Sequence, residues 1–440
     1  EKSHVFARQQ HLLNTEASLH YIIHFLPNAT AEELQAVKSI LIKTATSNSL
    51  QEVTSNRTGL TVFYKAKVKP KQVNDISNKP GVSGVFIDEI WKEELLPSST
   101  PLPSVSLQRR TPGSPKTNVH KPAQVRLQSN AVNELKVISQ PPGTRLSELP
   151  GYAYADEAGK GITIYVLDTG VNVQSREWYM MSGKKSFLYV AGAVKTETDF
   201  QNHGSCVASK AAGPVYGTAK NANIVAVKMP NKMTVSAMFA ALVEIGNDVY
   251  KKNLGGKAII NISNQPRLAD VHSSTVVAYK LQIASLIADD IVIVTGSGND
   301  REDGHDGVTG YPALLGPTMD IIVVGAVTDR GYRAPFSQGT GSALTVSAPG
   351  YVTCADGSDL LGGNQERHGT SFVFESFSCF LKAAPAVAGV IAVWLSQPEY
   401  KSRLQVPGKV AANVKKMVQS LAYSRAQGEP VVIWNGINPC

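Results

Sequence analysis

Hydrophobic and polar positions follow two different rhythms along this chain. Near the start, short runs alternate or repeat at helical spacing. His20-Tyr-Ile-Ile-His-Phe-Leu26 reads as a strand, and Thr30-Ala-Glu-Glu33 is a capping-box pattern opening a helix to about Thr44. Gly59 to Val68 alternates as a half-buried strand does. A second helix is expected from Pro70 and a last strand over Val82–Ile87. A β-α-β-β-α-β order over residues 20–92 implies a small ferredoxin-like α+β sandwich.

Residues 93–130 break the rhythm. Leu96-Pro-Ser-Ser-Thr-Pro-Leu-Pro and Thr111-Pro-Gly-Ser-Pro are rich in Pro and Ser, the composition of a linker, and contain the dibasic pair Arg109-Arg110. From residue 131 to 440 the pattern becomes strand–helix alternation. Apolar runs fall at 161–168, Ile224–Met229, Ala258–Ser263, Ile291–Thr295, Ile321–Val327 and Leu344–Ala348, with helices over Thr234–Lys252 and Thr275–Ala288. Strands apolar throughout and separated by helices predict a doubly wound, mostly parallel α/β sheet covered on both faces. Functional residues then collect beyond the strands' carboxyl ends.

Composition adds exclusions. The chain has 440 residues, 42% hydrophobic and 18% charged, which rules out wholesale disorder. The net charge of +8 is spread, with no Lys/Arg run beyond two residues and no aromatic platform, so no nucleic-acid partner is expected. No apolar run is long enough to span a bilayer, so no membrane partner is expected either. Cys206, Cys354, Cys379 and Cys440 lack zinc-like spacing and leave three disulfide pairings open. Asp300, Glu302, Asp303 and Asp306 read as a solvated acidic loop, and no metal site is expected. Asn28-Ala-Thr and Asn56-Arg-Thr are glycosylation sequons used only on a secretory route; a third, Asn261-Ile-Ser, lies in an expected buried strand.

Four short segments carry candidate chemistry. Asp168-Thr169-Gly170 closes the first strong strand, where an aspartate can hold a histidine ring. His203-Gly204-Ser205-Cys206 opens a helix of small residues. Gly296-Ser297-Gly298-Asn299 follows another strand, and Gly369-Thr370-Ser371 precedes the small-residue run Ala383-Ala384-Pro385-Ala386-Val387-Ala388-Gly389. Taken singly, each is a weak signal: a turn, a structural histidine, an asparagine bonding its own backbone. In the order Asp168, His203, Asn299, Ser371 they resemble the subtilisin-like serine peptidases, the subtilases.

The resemblance implies a secreted, monomeric serine endopeptidase acting on protein and peptide substrates without a cofactor. It implies Ser371 as nucleophile, His203 as general base, Asp168 as its orienting carboxylate and Asn299 in the oxyanion hole. The unit at 20–92 resembles the inhibitory propeptide of such zymogens. The strand Ile259–Ser263 resembles the one lining the substrate channel, with Ser263, Asn264 and Gln265 as substrate-binding positions. Where the family usually has Leu-Gly-Gly, this chain has Asn264-Gln265-Pro266, which alters the first specificity pocket.

Between Phe372 and Ala383 the family string is interrupted by Val373–Lys382, VFESFSCFLK. A continuous helix from Ser371 would put Pro385 deep in its interior, at a cost of about 3 kcal/mol. The helix is therefore expected to begin near Ala383. The alternative reading is a catalytically inactive homologue that binds peptides or its own prodomain.

Overall fold

A computed structural model describes residues 17–90, 124–199, 201–263, 273–356, 364–367 and 383–438. Ser371, Asn264, Gln265 and the segment 373–382 lie outside the described residues.

The N-terminal elements run β1 (Leu19–Phe25), α1 (Ala31–Thr44), β2 (Gln51–Thr54), β3 (Thr61–Val68), α2 (Pro70–Ser77) and β4 (Val82–Ile87). They form an antiparallel sheet in the order β2-β3-β1-β4, the ferredoxin-like arrangement. The capping box is formed: Thr30 Oγ1 accepts from the Glu33 amide, and the Glu33 carboxylate accepts from the Thr30 amide. One face of the sheet buries Tyr21, Ile23, Phe25 and Tyr64 against Val37 and Leu41 of α1.

Strand β5 (Val125–Gln128), inside the stretch expected to be linker, pairs antiparallel with β6 (Tyr152–Ala155). The main sheet holds β7 (Thr163–Asp168), β8 (Lys185–Tyr189), β9 (Asn223–Lys228), β10 (Ala258–Ile262), β11 (Ile291–Gly296), β12 (Ile321–Val327) and β13 (Val346–Pro349). These seven are parallel, in the order β13-β12-β11-β10-β7-β9-β8, and a short antiparallel pair from the C-terminal end extends the β13 edge. Strand order changes direction between β7 and β10, the point in a doubly wound sheet where ligands gather.

Successive residues of these strands face opposite layers, as the period of two demands. Ile164 and Val166 of β7 pack with α3 (His203–Ala212) and, later in the chain, the helix Ala383–Ser396. Tyr165 and Leu167 face α4 (Val235–Lys252) and α5 (Ser273–Ala288). The helix α6 (Ala383–Ser396) has every residue from Ala383 to Leu395 buried, and Pro385 stands third in it, within its first turn. Small side chains let α6 lie close to the sheet and to α3.

The second face of the N-terminal sheet sits on α4 and α5. His24, Phe63 and Phe86 meet the Phe239 ring edge-on, at centroid distances of 5.9, 6.3 and 5.9 Å. Asp88 accepts from the Ser236 amide and hydroxyl, both at 2.8 Å, and pairs with Lys65 at 2.6 Å. A carboxylate at that helix start satisfies donors with no intrahelical partner.

Candidate active site

Three of the expected site residues stand along one edge of the main sheet. Leu167, Ile262 and Thr295 are level in the register of β7, β10 and β11. Asp168, Ser263 and Asn299 therefore follow neighbouring strands out of their carboxyl ends. Ser263 is fully buried and its hydroxyl accepts from Asn261 Nδ2 at 2.8 Å, so the third sequon is enclosed as expected. Asn28 and Asn56 are exposed.

His203 is the first residue of α3, and its Nδ1 lies 2.8 and 3.0 Å from the two carboxylate oxygens of Asp168. Their side chains are 4% and 1% exposed, so the pair is shielded from water. Nδ1 donates to the carboxylate, which leaves the lone pair on Nε2. Asn202, in the left-handed region at φ 57°, turns the chain into the helix.

Gly204 is what lets the helix start so close to the strand end. A Cβ on it would lie 2.1 Å from the Gly170 carbonyl oxygen and 3.2 Å from Asp168 Cβ. No side chain fits there.

Behind this pair lies a layer that motif reasoning missed. Asp199, 4% exposed, accepts from the Ser205 amide and from Thr169 Oγ1, both at 2.7 Å. Thr169 Oγ1 in turn accepts from the Gly204 amide at 3.1 Å. One carboxylate thus joins the turn after β7 to the first turn of α3. Burial raises its pKa, partly offset by the hydrogen bonds from Thr169 and Ser205, with the negative charge of Asp168 adding a smaller rise. Lys228 Nζ donates to the Thr196 and Thr198 carbonyls at 2.8 and 2.7 Å, fixing the loop that carries Asp199. The sequence signal was an aspartate four residues before a helix-opening histidine. Ser205 in place of the usual threonine still works locally: its Oγ accepts from the Asn172 amide at 3.0 Å.

Helix α3 is also tied at its far side. Cys206 and Cys354 form a disulfide with Cα atoms 5.0 Å apart, settling one of the pairings left open. Lys210, wholly buried, pairs with Glu134 at 3.1 Å, and the same carboxylate accepts from the Thr353 amide at 2.7 Å. Residues 352–355 pair with 364–367, the last described strand before Ser371. Closing a loop of 148 residues constrains the unfolded chain by about 5 kcal/mol in the chain-entropy account.

Asn299, half-buried, sits in the loop after β11. Gly298 precedes it at φ +108°, and a Cβ there would meet Gln338 Oε1 at 1.9 Å. Gln338 Nε2 donates to the His305 and Gly307 carbonyls at 2.9 and 2.8 Å, and its amide donates to Gly298 O at 3.1 Å. This glutamine ties the asparagine-bearing loop to the acidic loop, where Asp306 pairs with Arg301 at 3.1 Å and Arg333 at 2.8 Å.

A parallel doubly wound sheet with a buried Asp–His pair at its switch point defines an α/β protein of the subtilisin-like fold. The chain belongs to the subtilase family, whose pattern matches residues 159–428. It is 31% identical over 299 residues to "Subtilisin-like protease 2" of Trichophyton rubrum, covering 66% of this chain and 62% of that one. It is 33% identical over 275 residues to "Subtilisin-like protease 3" of Pseudogymnoascus destructans, covering 61% and 60%. The chain thus spans about three fifths of these relatives' length. A cold-adapted subtilisin-like serine proteinase of solved structure shares the fold, with a TM-score of 0.51 at 22% identity over 70% of this chain and 99% of that one.

Proposed function

We propose that the chain is a secreted subtilisin-like serine endopeptidase made as a zymogen. The observation that carries this reading is the His203–Asp168 pair, buried and in contact at 2.8 Å on the sheet edge that also presents Asn299. In the proposed reaction Ser371 attacks the peptide carbonyl and His203 Nε2 takes the hydroxyl proton. Asp168 stabilises the imidazolium, and the proton then passes to the leaving amine. Asn299 and the Ser371 amide hold the oxyanion. Ser263, Asn264 and Gln265 bind substrate. Residues 20–92 act as propeptide and intramolecular inhibitor, joined by a linker that begins at residue 93 to a catalytic domain that takes in β5 and runs to residue 440.

Secretion is supported by the buried disulfide, a bond that persists in oxidising compartments, and by the two exposed sequons. No helix among the described residues is long and apolar enough to cross a membrane. The test is fluorophosphonate labelling after removal of the N-terminal unit, mapped by mass spectrometry, with His203→Ala as control. An adduct on Ser371 that disappears in the control is expected. Absence of adduct from a cooperatively melting protein would refute the proposal.

A further inference from the structure

Where the N-terminal sheet rests on α4 and α5, a partly open cavity of about 110 Å³ lies between them. Its apolar wall is Leu60, Val62, Leu242 and Leu286. Of the polar side chains that also line it, two are buried with atoms left unpartnered. Gln282, 6% exposed, reaches the cavity from α5, and neither its amide nitrogen nor its amide oxygen has a hydrogen-bond partner. His24, 2% exposed, reaches it from β1, and its Nε2 is likewise unpartnered.

The tautomer of His24 follows from its neighbours. Ser83 Oγ donates its proton to the His24 carbonyl at 3.1 Å, so His24 Nδ1 must donate to Ser83 Oγ at 2.7 Å. His24 Nε2 is then a bare acceptor. Leaving a buried amide and a buried acceptor unmatched is costly, and native interiors almost always provide a partner. At the mouth, Arg57 is paired to Asp289 at 3.1 Å, so no unpaired charge lines the space.

We propose that this cavity is a binding site for a small neutral molecule carrying a hydroxyl or carboxamide head on a short apolar body. The head donates to His24 Nε2 or Gln282 Oε1 and accepts from Gln282 Nε2, while the body packs on the leucine wall. A cavity of 150 Å³ holds benzene, so this one takes about four or five non-hydrogen atoms. Because one wall comes from the N-terminal sheet and the other from α4 and α5, the ligand binds only while the two are docked. Ligand at ten times its Kd raises the docking equilibrium about eleven-fold. The inference stands independently of whether the chain hydrolyses peptides.

The test uses the purified full chain, with saturable binding of propionamide and of isobutanol followed by calorimetry and ligand-observed NMR. Diethyl ether, an isomer of isobutanol that accepts but does not donate, is the control. Isobutanol should bind at least ten-fold more tightly than ether. Gln282→Leu, which keeps the volume and removes the amide, should weaken both probes at least ten-fold. Should that variant fail to melt cooperatively, Gly246→Ala serves instead. It adds a methyl to the cavity lining 3.3 Å from Leu286, and should weaken binding by narrowing the space. Equal binding of ether and isobutanol, binding unchanged by the variants, or water as the sole occupant would each overturn the proposal.

Discussion

Gly204→Ala tests how closely the general-base helix must approach the strand that carries its carboxylate. The new methyl would lie 2.1 Å from the Gly170 oxygen, where ordinary contact begins near 3.4 Å. About 1.3 Å must therefore be found by moving the turn or the helix. The turn cannot yield freely. Gly170 itself sits at φ +110° with the Thr198 oxygen 2.7 Å from its own Cβ position, and Thr169 is held by Asp199. Most of the displacement falls on α3, whose first residue is His203. A shift of about 1 Å at a reacting group costs on the order of 10²-fold in rate. The assay is the second-order rate of fluorophosphonate labelling at Ser371, with far-UV circular dichroism to confirm the fold. A fall of about 10² with secondary structure retained is the expected result. A variant labelled within three-fold of the parent rate would show that the close approach is not what positions His203.

Two further outcomes are expected. Burial holds the His24 pKa down at about 4, below its ordinary 6.5. Its neutral form therefore stabilises the docked sheet fully above pH 6.5, and that contribution drains away as pH falls through 6.5 towards 4. At pH 5 the loss is about 2 kcal/mol, so between pH 7.5 and 5 the urea midpoint of the parent should fall relative to that of His24→Leu. Parallel midpoints would refute the linkage. Asp199→Ala strands the Ser205 amide and the Thr169 hydroxyl in a buried setting, and should lower unfolding free energy by about 1–3 kcal/mol in chemical denaturation. A loss under about 0.5 kcal/mol would mean that water replaces the carboxylate there.

Much of this architecture was legible in the residue order because the decisive signals are local. The capping box at Thr30 placed α1 to within a residue, and Pro70 marked the start of α2. Unbroken apolar runs located the central strands because both of their faces are covered. What escaped was set by tertiary partners. Strand β2 has only four residues, none of them buried, and so carries no alternation. Strand β5 is mostly exposed and hides in the composition of a linker. Asp199 and Asp88 look like ordinary surface residues until the backbone amides that they serve are brought to them, and Gln338 until the carbonyls of His305 and Gly307 are. Ser263 directly follows β10, and the expected nucleophile with the residues on either side of it lies outside the described structure.

The disulfide on α3 has a consequence for how the chain is made. Of the four cysteines in this sequence, Cys206 leaves the ribosome first, and the next to appear is its partner, 148 residues later. At ordinary synthesis speeds that wait is about 7–30 s, and no other cysteine of this sequence emerges during it. Cys354 then has a lead of about 1–5 s over Cys379. A co-translational oxidant that joins cysteines as they emerge would therefore make the native bond by default. Refolding from the fully reduced chain, with all four thiols present at once, has no such guide.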